Sequence, residues 1–186
     1  MYVLPDIPDE PLLAGIIAGR SRPAASVQTL PRPVGRAGFG VIEANALLED
    51  KMAPWLRDLR LTVDACSTSG ATLRLPVNSR ILRPGNTLCG PALMACADTA
   101  MVIAVMGRLG RLRNVATVSL SIDFMRATPP GDVSIHATVR TQGRSLIFTE
   151  CSFSSPRSQI VSARATATWA LLPALATAGG ACRGAC

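Results

Sequence analysis

Histidine is all but missing: the 186 residues contain one, His136. A single imidazole argues against a histidine-bearing structural zinc site and against Ser-His-Asp or Cys-His nucleophile schemes. His136 falls on the polar side of an alternating run, opposite Val133, Ile135, Ala137 and Val139, so a surface residue is expected there. Aromatic residues are scarce too, at 4%, which argues against stacking platforms for nucleic-acid bases. Lys51 is the only lysine, so the net charge of +7 is carried by arginine. The arginines are scattered rather than gathered on one face, and no nucleic-acid partner is expected. A phosphorylated small molecule suits such a charge, and so does a compositional bias of the genome.

The six cysteines, Cys66, Cys89, Cys96, Cys151, Cys182 and Cys186, form no CxxC pair. Reduced thiols are expected, without a metal or cofactor. The first residues are acidic and proline-rich, and the apolar stretch from Leu12 to Ala18 is short for a secretory leader. No run is expected to approach the ~18 or more apolar residues of a membrane span, and the chain reads as cytoplasmic. No repeat of 20–50 residues is visible. Gly107 and Gly110 belong to no phosphate-binding loop and read instead as helix-ending glycines.

What remains is rich in apolar residues, 48% against 17% charged, enough for one domain with a sizeable core. Residues 1–38 are punctuated by proline and glycine and read as an arm. Residues 39–173 read as the domain, and 174–186 as a low-complexity Ala/Gly/Cys tail. Within the domain, Asn45 is a candidate cap for a helix to about Asp58, interrupted at Pro54. Leu59, Leu61, Val63 and Ala65 alternate with polar neighbours as in a half-buried strand, and Leu73, Leu75 and Val77 do so after a turn at Ser69-Gly70. Arg83-Pro84-Gly85-Asn86 reads as a loop. From Pro91 to Leu109 the chain is apolar on every side, which predicts a helix in the middle of the domain. Alternation then predicts four strands near 115–125, 132–141, 145–154 and 160–172. The small face Ala163, Ala165 and Ala167 would let a helix approach closely. The expected fold class is α+β: one long central helix wrapped by a curved antiparallel sheet of about six strands.

Asp98 is the one charged residue between Arg83 and Arg108, set among Met94, Ala95, Met101 and Val102 at helical spacing. A carboxylate in such a stripe loses hydration and must find a partner off the helix, a circumstance that marks both functional sites and structural bonds to a neighbouring strand. Gly90 precedes Pro91 at the start of the same helix, where free amides favour developing negative charge. A glycine there can serve an oxyanion hole or simply turn the chain. Eight residues of helix separate Gly90 from Asp98 by roughly 12 Å. One carbonyl carbon cannot lie against both, so joint action requires a second copy of the chain.

The stretch Asn86-Thr-Leu-Cys-Gly-Pro-Ala-Leu-Met-Ala-Cys-Ala-Asp98 resembles the hotdog-fold thioesterases of the phenylacetate-degradation type. So do Thr117-Val-Ser-Leu-Ser-Ile-Asp-Phe-Met-Arg126 and Gln142-Gly-Arg-Ser-Leu-Ile-Phe-Thr149. In order and at family spacing, these segments cover roughly residues 59–172. The resemblance implies hydrolysis of acyl-CoA thioesters by a homodimer or dimer of dimers, with Asp98 as catalytic acid and Gly90 as the oxyanion-hole glycine. It places Thr117 where the family holds water or intermediate, and Arg126, Gly143 and Arg144 along the CoA groove. The family histidine before the glycine is Cys89 here, the second glycine is Pro91, and the entry-loop amide residue stands at Arg83, with Asn86 nearby. These departures keep two alternatives open: a non-catalytic acyl-CoA-binding hotdog protein, and a hotdog hydratase or dehydratase. The acyl group itself is not legible.

Overall fold

The structure, a computed structural model, describes residues 38–76, 78–156 and 160–173. Val77, the tail 174–186 and the arm apart from Gly38 lie outside the described residues. Helix α1 spans Val41–Asp50 and α2 spans Pro54–Arg57. Strands β1 (Thr62–Ser67) and β2 (Gly70–Leu75) follow, then the two-residue strands β3 (Leu82–Arg83) and β4 (Thr87–Leu88). Helix α3 covers Gly90–Leu109. The chain then forms β5 (Val115–Phe124), β6 (Val133–Gln142), β7 (Leu146–Ser154) and β8 (Val161–Leu171). Six strands make one antiparallel sheet in the order β1-β2-β6-β7-β8-β5. β3 and β4 form a hairpin where a loop was expected, pairing Leu82 with Leu88 and Arg83 with Thr87.

α3 packs against β6, β2 and β7, with fewer contacts to the edge strands. Twelve of its 20 residues are buried. By length and mean hydropathy (1.6) this helix is apolar enough to cross a membrane, so the expectation that no segment reaches that threshold is corrected. Burial of 67% of the apolar stretch within the fold accounts for its composition. Its sheet-side partners include Leu73, Ile135, Ile147, Phe153 and the small face Ala163, Ala165 and Ala167, all buried.

The N-terminal helix differs from expectation. α1 begins at Val41 rather than after Asn45, because the Gly40 N–H is taken by the Glu43 carboxylate at 2.9 Å. Asn45 instead ties the helix to β1: its Oδ1 accepts from the Val63 N–H at 2.9 Å and its amide donates to the Val63 carbonyl at 3.1 Å. β1 is shorter than its alternation suggests and bulges between Val63 and Ala65. The bulge turns Ala65 outward and Cys66 inward, against the simple two-residue period.

Beneath the sheet, the Trp169 indole N–H donates to Thr149 Oγ1 at 2.8 Å, and that hydroxyl donates on to the Ala167 carbonyl at 3.3 Å. Both side chains are buried. Thr149→Val keeps the shape and strands the indole donor. A loss of about 1–3 kcal/mol is expected in urea unfolding, with an unchanged m-value.

Candidate active site

α3 presents one stripe that the sheet does not cover: Pro91, Met94, Ala95, Asp98 and Val102, spaced by three and four residues. Met101, the remaining expected neighbour of Asp98, is fully buried. Asp98 is half-buried in this stripe, and its partner comes from β5: Thr117 Oγ1 donates to Asp98 Oδ1 at 3.0 Å. Burial pushes the Asp98 carboxyl above its ordinary value, and the Thr117 bond opposes that by favouring the charged form.

Thr117 reaches Asp98 because β5 is irregular there. The strand pairs Thr117 with Trp169 but Ser119 with Thr168, which leaves Val118 as the extra residue of a bulge. Without that slip, the parity that turns Leu120 and Ile122 toward the core would turn Thr117 away. Bulges of this kind re-aim side chains beside functional sites. The pair lies at the surface of the single chain, and Thr117 sits on a strand that, among the described residues, hydrogen-bonds in the sheet to β8 alone.

Gly90 opens α3, and Cys89 stands before it in extended conformation as the N-cap residue. The Cys89 N–H is used by the Ile81 carbonyl at 2.9 Å. The Gly90 and Ala92 N–H groups find no protein acceptor among the described residues, and Pro91 has none to offer. Two amides at a helix start are therefore available to negative charge. The glycine has a second reason: a Cβ at Gly90 would lie 3.2 Å from Cζ of Phe124. The half-exposed Phe124 ring would have to yield by a few tenths of an ångström to admit that carbon, so packing favours glycine here whatever approaches from outside.

The remaining expected site residues fall into two groups. Arg83 and Asn86 are exposed on the β3–β4 hairpin, with Asn86 in the left-handed region at φ 55. The Leu88 N–H, beside them, donates to the Thr128 carbonyl at 2.9 Å, so the segment carrying Arg126 lies near the start of α3. Gly143 and Arg144 lie in the exposed β6–β7 turn, where Gln142 accepts from Arg108 Nε at 3.0 Å, near the end of α3. Eighteen helical residues, roughly 27 Å, separate those ends. Within one chain Arg126 and Arg144 do not meet.

His136 is exposed on the outer face of the sheet, with ring nitrogens 3.2 Å from Thr72 Oγ1 and 3.1 Å from Ser134 Oγ. In a single chain the sheet itself stands between it and α3. The described cysteines, Cys66, Cys89, Cys96 and Cys151, are free thiols. Burial pushes the Cys96 and Cys151 thiols up to about 12, which keeps them protonated. Sequence reasoning did not single out Phe124 for its contact with Gly90, nor Thr87, whose buried Oγ1 lacks a hydrogen-bond partner.

A long helix wrapped by a six-stranded antiparallel sheet, with an acid at mid-helix and free amides at its start, defines a hotdog-fold domain. The sequence profile of the thioesterase superfamily matches residues 85–161. A solved structure of a provisionally assigned thioesterase from Silicibacter sp. TM1040 is 32% identical, covering 73% of this chain and 93% of that one, with a TM-score of 0.65. The chain belongs to the thioesterase superfamily. A provisionally assigned esterase of Thermoplasma acidophilum is 23% identical over 111 residues, 60% of this chain and 83% of its own. The PaaI protein from the phenylacetic acid degradation operon of E. coli shares the fold, with a TM-score of 0.55 at 20% identity, over 61% of this chain and 85% of that one. Family membership supports a hydrolase acting on thioesters.

Proposed function

We propose that the chain hydrolyses acyl-CoA thioesters at a site completed by a second copy of itself. The Thr117–Asp98 hydrogen bond carries this reading, because it holds a half-buried carboxylate with a fixed orientation and a second oxygen that has no partner among the described residues. Two features favour a paired site: the distance between Asp98 and the Gly90 amide along one helix, and the unpaired edge of β5 with Val118 60% and Phe124 50% exposed. An edge strand of this kind is a template for a second copy's edge. The pairing would set Asp98 of one copy against the helix start of the other.

In that arrangement Asp98 takes a proton from water, and the resulting hydroxide adds to the thioester carbon. The carbonyl oxygen gathers negative charge, which the Gly90 and Ala92 amides of the second copy receive. Collapse breaks the C–S bond, and the proton on Asp98 passes to the leaving thiolate. Direct attack by Asp98 gives a mixed anhydride that water then cleaves to the same products. Arg126 and Arg144, separated within one chain, would come from different copies if both meet one CoA. Arg83, Asn86 and Cys89 border the same helix start. No resident cofactor is required.

The reading is tested on Thr117. Thr117→Val removes a bond that favours the ionised carboxylate, so the Asp98 pKa rises further. The ascending limb of the pH–kcat/KM profile in a thiol-release assay should move to higher pH. The neutral-pH rate should fall about tenfold, with the melting temperature nearly unchanged because Thr117 is exposed. An unmoved profile at full rate would remove Thr117, and the geometry built on it, from the reaction.

A further inference from the structure

α1, the turn after it and α2 arch over a cavity of about 440 Å3 beside α3, within the ~300–1,000 Å3 range of small-molecule pockets. Its deep surface is Leu48, buried, and Thr99, 2% exposed. Met52, Leu56 and Leu61 are half-buried along its walls. Thr99 directly follows Asp98. Side chains one residue apart on a helix diverge by about 100°, which separates their tips by roughly 8 Å at the helix surface. An acyl chain whose thioester carbon sits beside Asp98 needs a medium-length run of methylene groups to span that gap.

The rim of the cavity is charged. Arg57 and Arg60 are exposed there, and neither has an ion-pair partner among the described residues. Arg60 is held in the left-handed region at φ 54, with its N–H on the Arg57 carbonyl at 2.9 Å. That conformation is uncommon for a non-glycine residue, and both arginines border the same opening. Glu49 also borders it, which leaves two cations against one anion. A plain hydrocarbon tail leaves two hydrated guanidinium groups idle. A carboxylate at the tail's end accepts their forked N–H donors in charge-assisted bonds.

We propose that this cavity receives the acyl portion of the thioester and that Arg57 and Arg60 select acyl groups ending in a second carboxylate. The substrate class is then the mono-thioesters of dicarboxylic acids, hydrolysed to the dicarboxylate and the free thiol. The inference rests on Asp98 as the seat of the thioester carbon, and the test separates the two.

Two measurements on the full chain decide it. In thiol release, sebacyl-CoA, whose chain is long enough to cross from Asp98 to the rim, should show a kcat/KM about tenfold or more above decanoyl-CoA. The double variant Arg57→Gln/Arg60→Gln should erase that advantage while leaving the decanoyl-CoA rate within about twofold, since both side chains reach only the tail. Calorimetric titration with free sebacate reads the cavity without any turnover. Sebacate should bind the parent and lose about tenfold in affinity to the double variant. If no thioester is cleaved yet sebacate binds through the arginines, the cavity assignment stands and the Asp98 seat fails. A parent that favours decanoyl-CoA, a sebacyl preference that survives the double variant, or sebacate binding equal in both proteins overturns the selection by arginine.

Discussion

Asp98→Asn should cut thiol release from acyl-CoA substrates by about 10²–10⁴-fold, the range for losing a positioned acid–base group. Asparagine keeps an oxygen to accept the Thr117 hydroxyl, so the geometry of that bond survives while the capacity to take a proton or attack carbon does not. The same substitution separates catalysis from structure through its effect on stability. Burial raises the folded-state pKa of Asp98. Between its unfolded value and that raised value the native state holds more protons than the unfolded one, so stability falls as pH climbs through the window. Above it, the charged carboxylate is a cost to the fold. The Asn variant should therefore melt no lower than the parent at neutral pH, and the parent's pH dependence in that window should flatten. A variant that is inactive and clearly less stable would mark Asp98 as a structural anchor. A stable variant hydrolysing at the parent rate would move the chemistry elsewhere and favour a non-catalytic acyl-CoA-binding protein. The hydratase alternative needs an imidazole near the acid, and His136 lies on the opposite face of the sheet in its own chain.

Period-two alternation locates β5 to β8 within a residue or so at each end, because β6, β7 and β8 bury one face and β5 turns Leu120 and Ile122 toward the core, and the pleat writes that into the sequence. The central helix is legible for the opposite reason: it is apolar on nearly every side, the pattern of a helix in a domain core or a membrane, and the alternating strands around it point to the core. Asp98 stood out against the same background. Thr117 did not, since the bulge at Val118 reverses the parity of the residues before it. Counting alternation from Leu120 and Ile122 aims Thr117 outward, so its place beside Asp98 was reachable only through the family motif. The bulge in β1 hid Cys66 in the same way. The start of α1 is not legible because Asn45 has the chemistry of a cap but spends it on the edge of β1. Gly107 lies in the last turn of α3 as expected, but its close contact with β1 is not legible, because helix-ending and close-contact glycines look alike until the neighbour is known.

Gly107→Ala should destabilise the fold, because the site lies inside α3 and against the backbone of β1. Gly110 ends the helix, in the left-handed region at φ 64, while Gly107 is buried within the last turns. A Cβ at Gly107 would stand 2.6 Å from the Ser67 carbonyl oxygen and 2.8 Å from Cys66 Sγ. The sulfur belongs to a half-buried side chain that also contacts the Phe39 and Ile103 carbonyls, so it has little room to retreat. The oxygen belongs to the end of β1, the edge of the sheet opposite β5. Relief requires β1 to lift away from α3, taking with it the Asn45 bridge to α1. Alanine's better helix propensity returns at most about 1 kcal/mol, against an overpacking cost of about 1–3 kcal/mol or more when backbone must move. The melting temperature should drop by roughly 5 °C or more. Gly110→Ala, with open space around the added carbon, supplies the control: it carries only the left-handed strain of about 1–2 kcal/mol. If Gly107→Ala melts at or above the parent temperature, the close crossing of α3 by β1 is wrong. The cover that α1 and α2 form over the cavity at Thr99 would then lose its foundation as well.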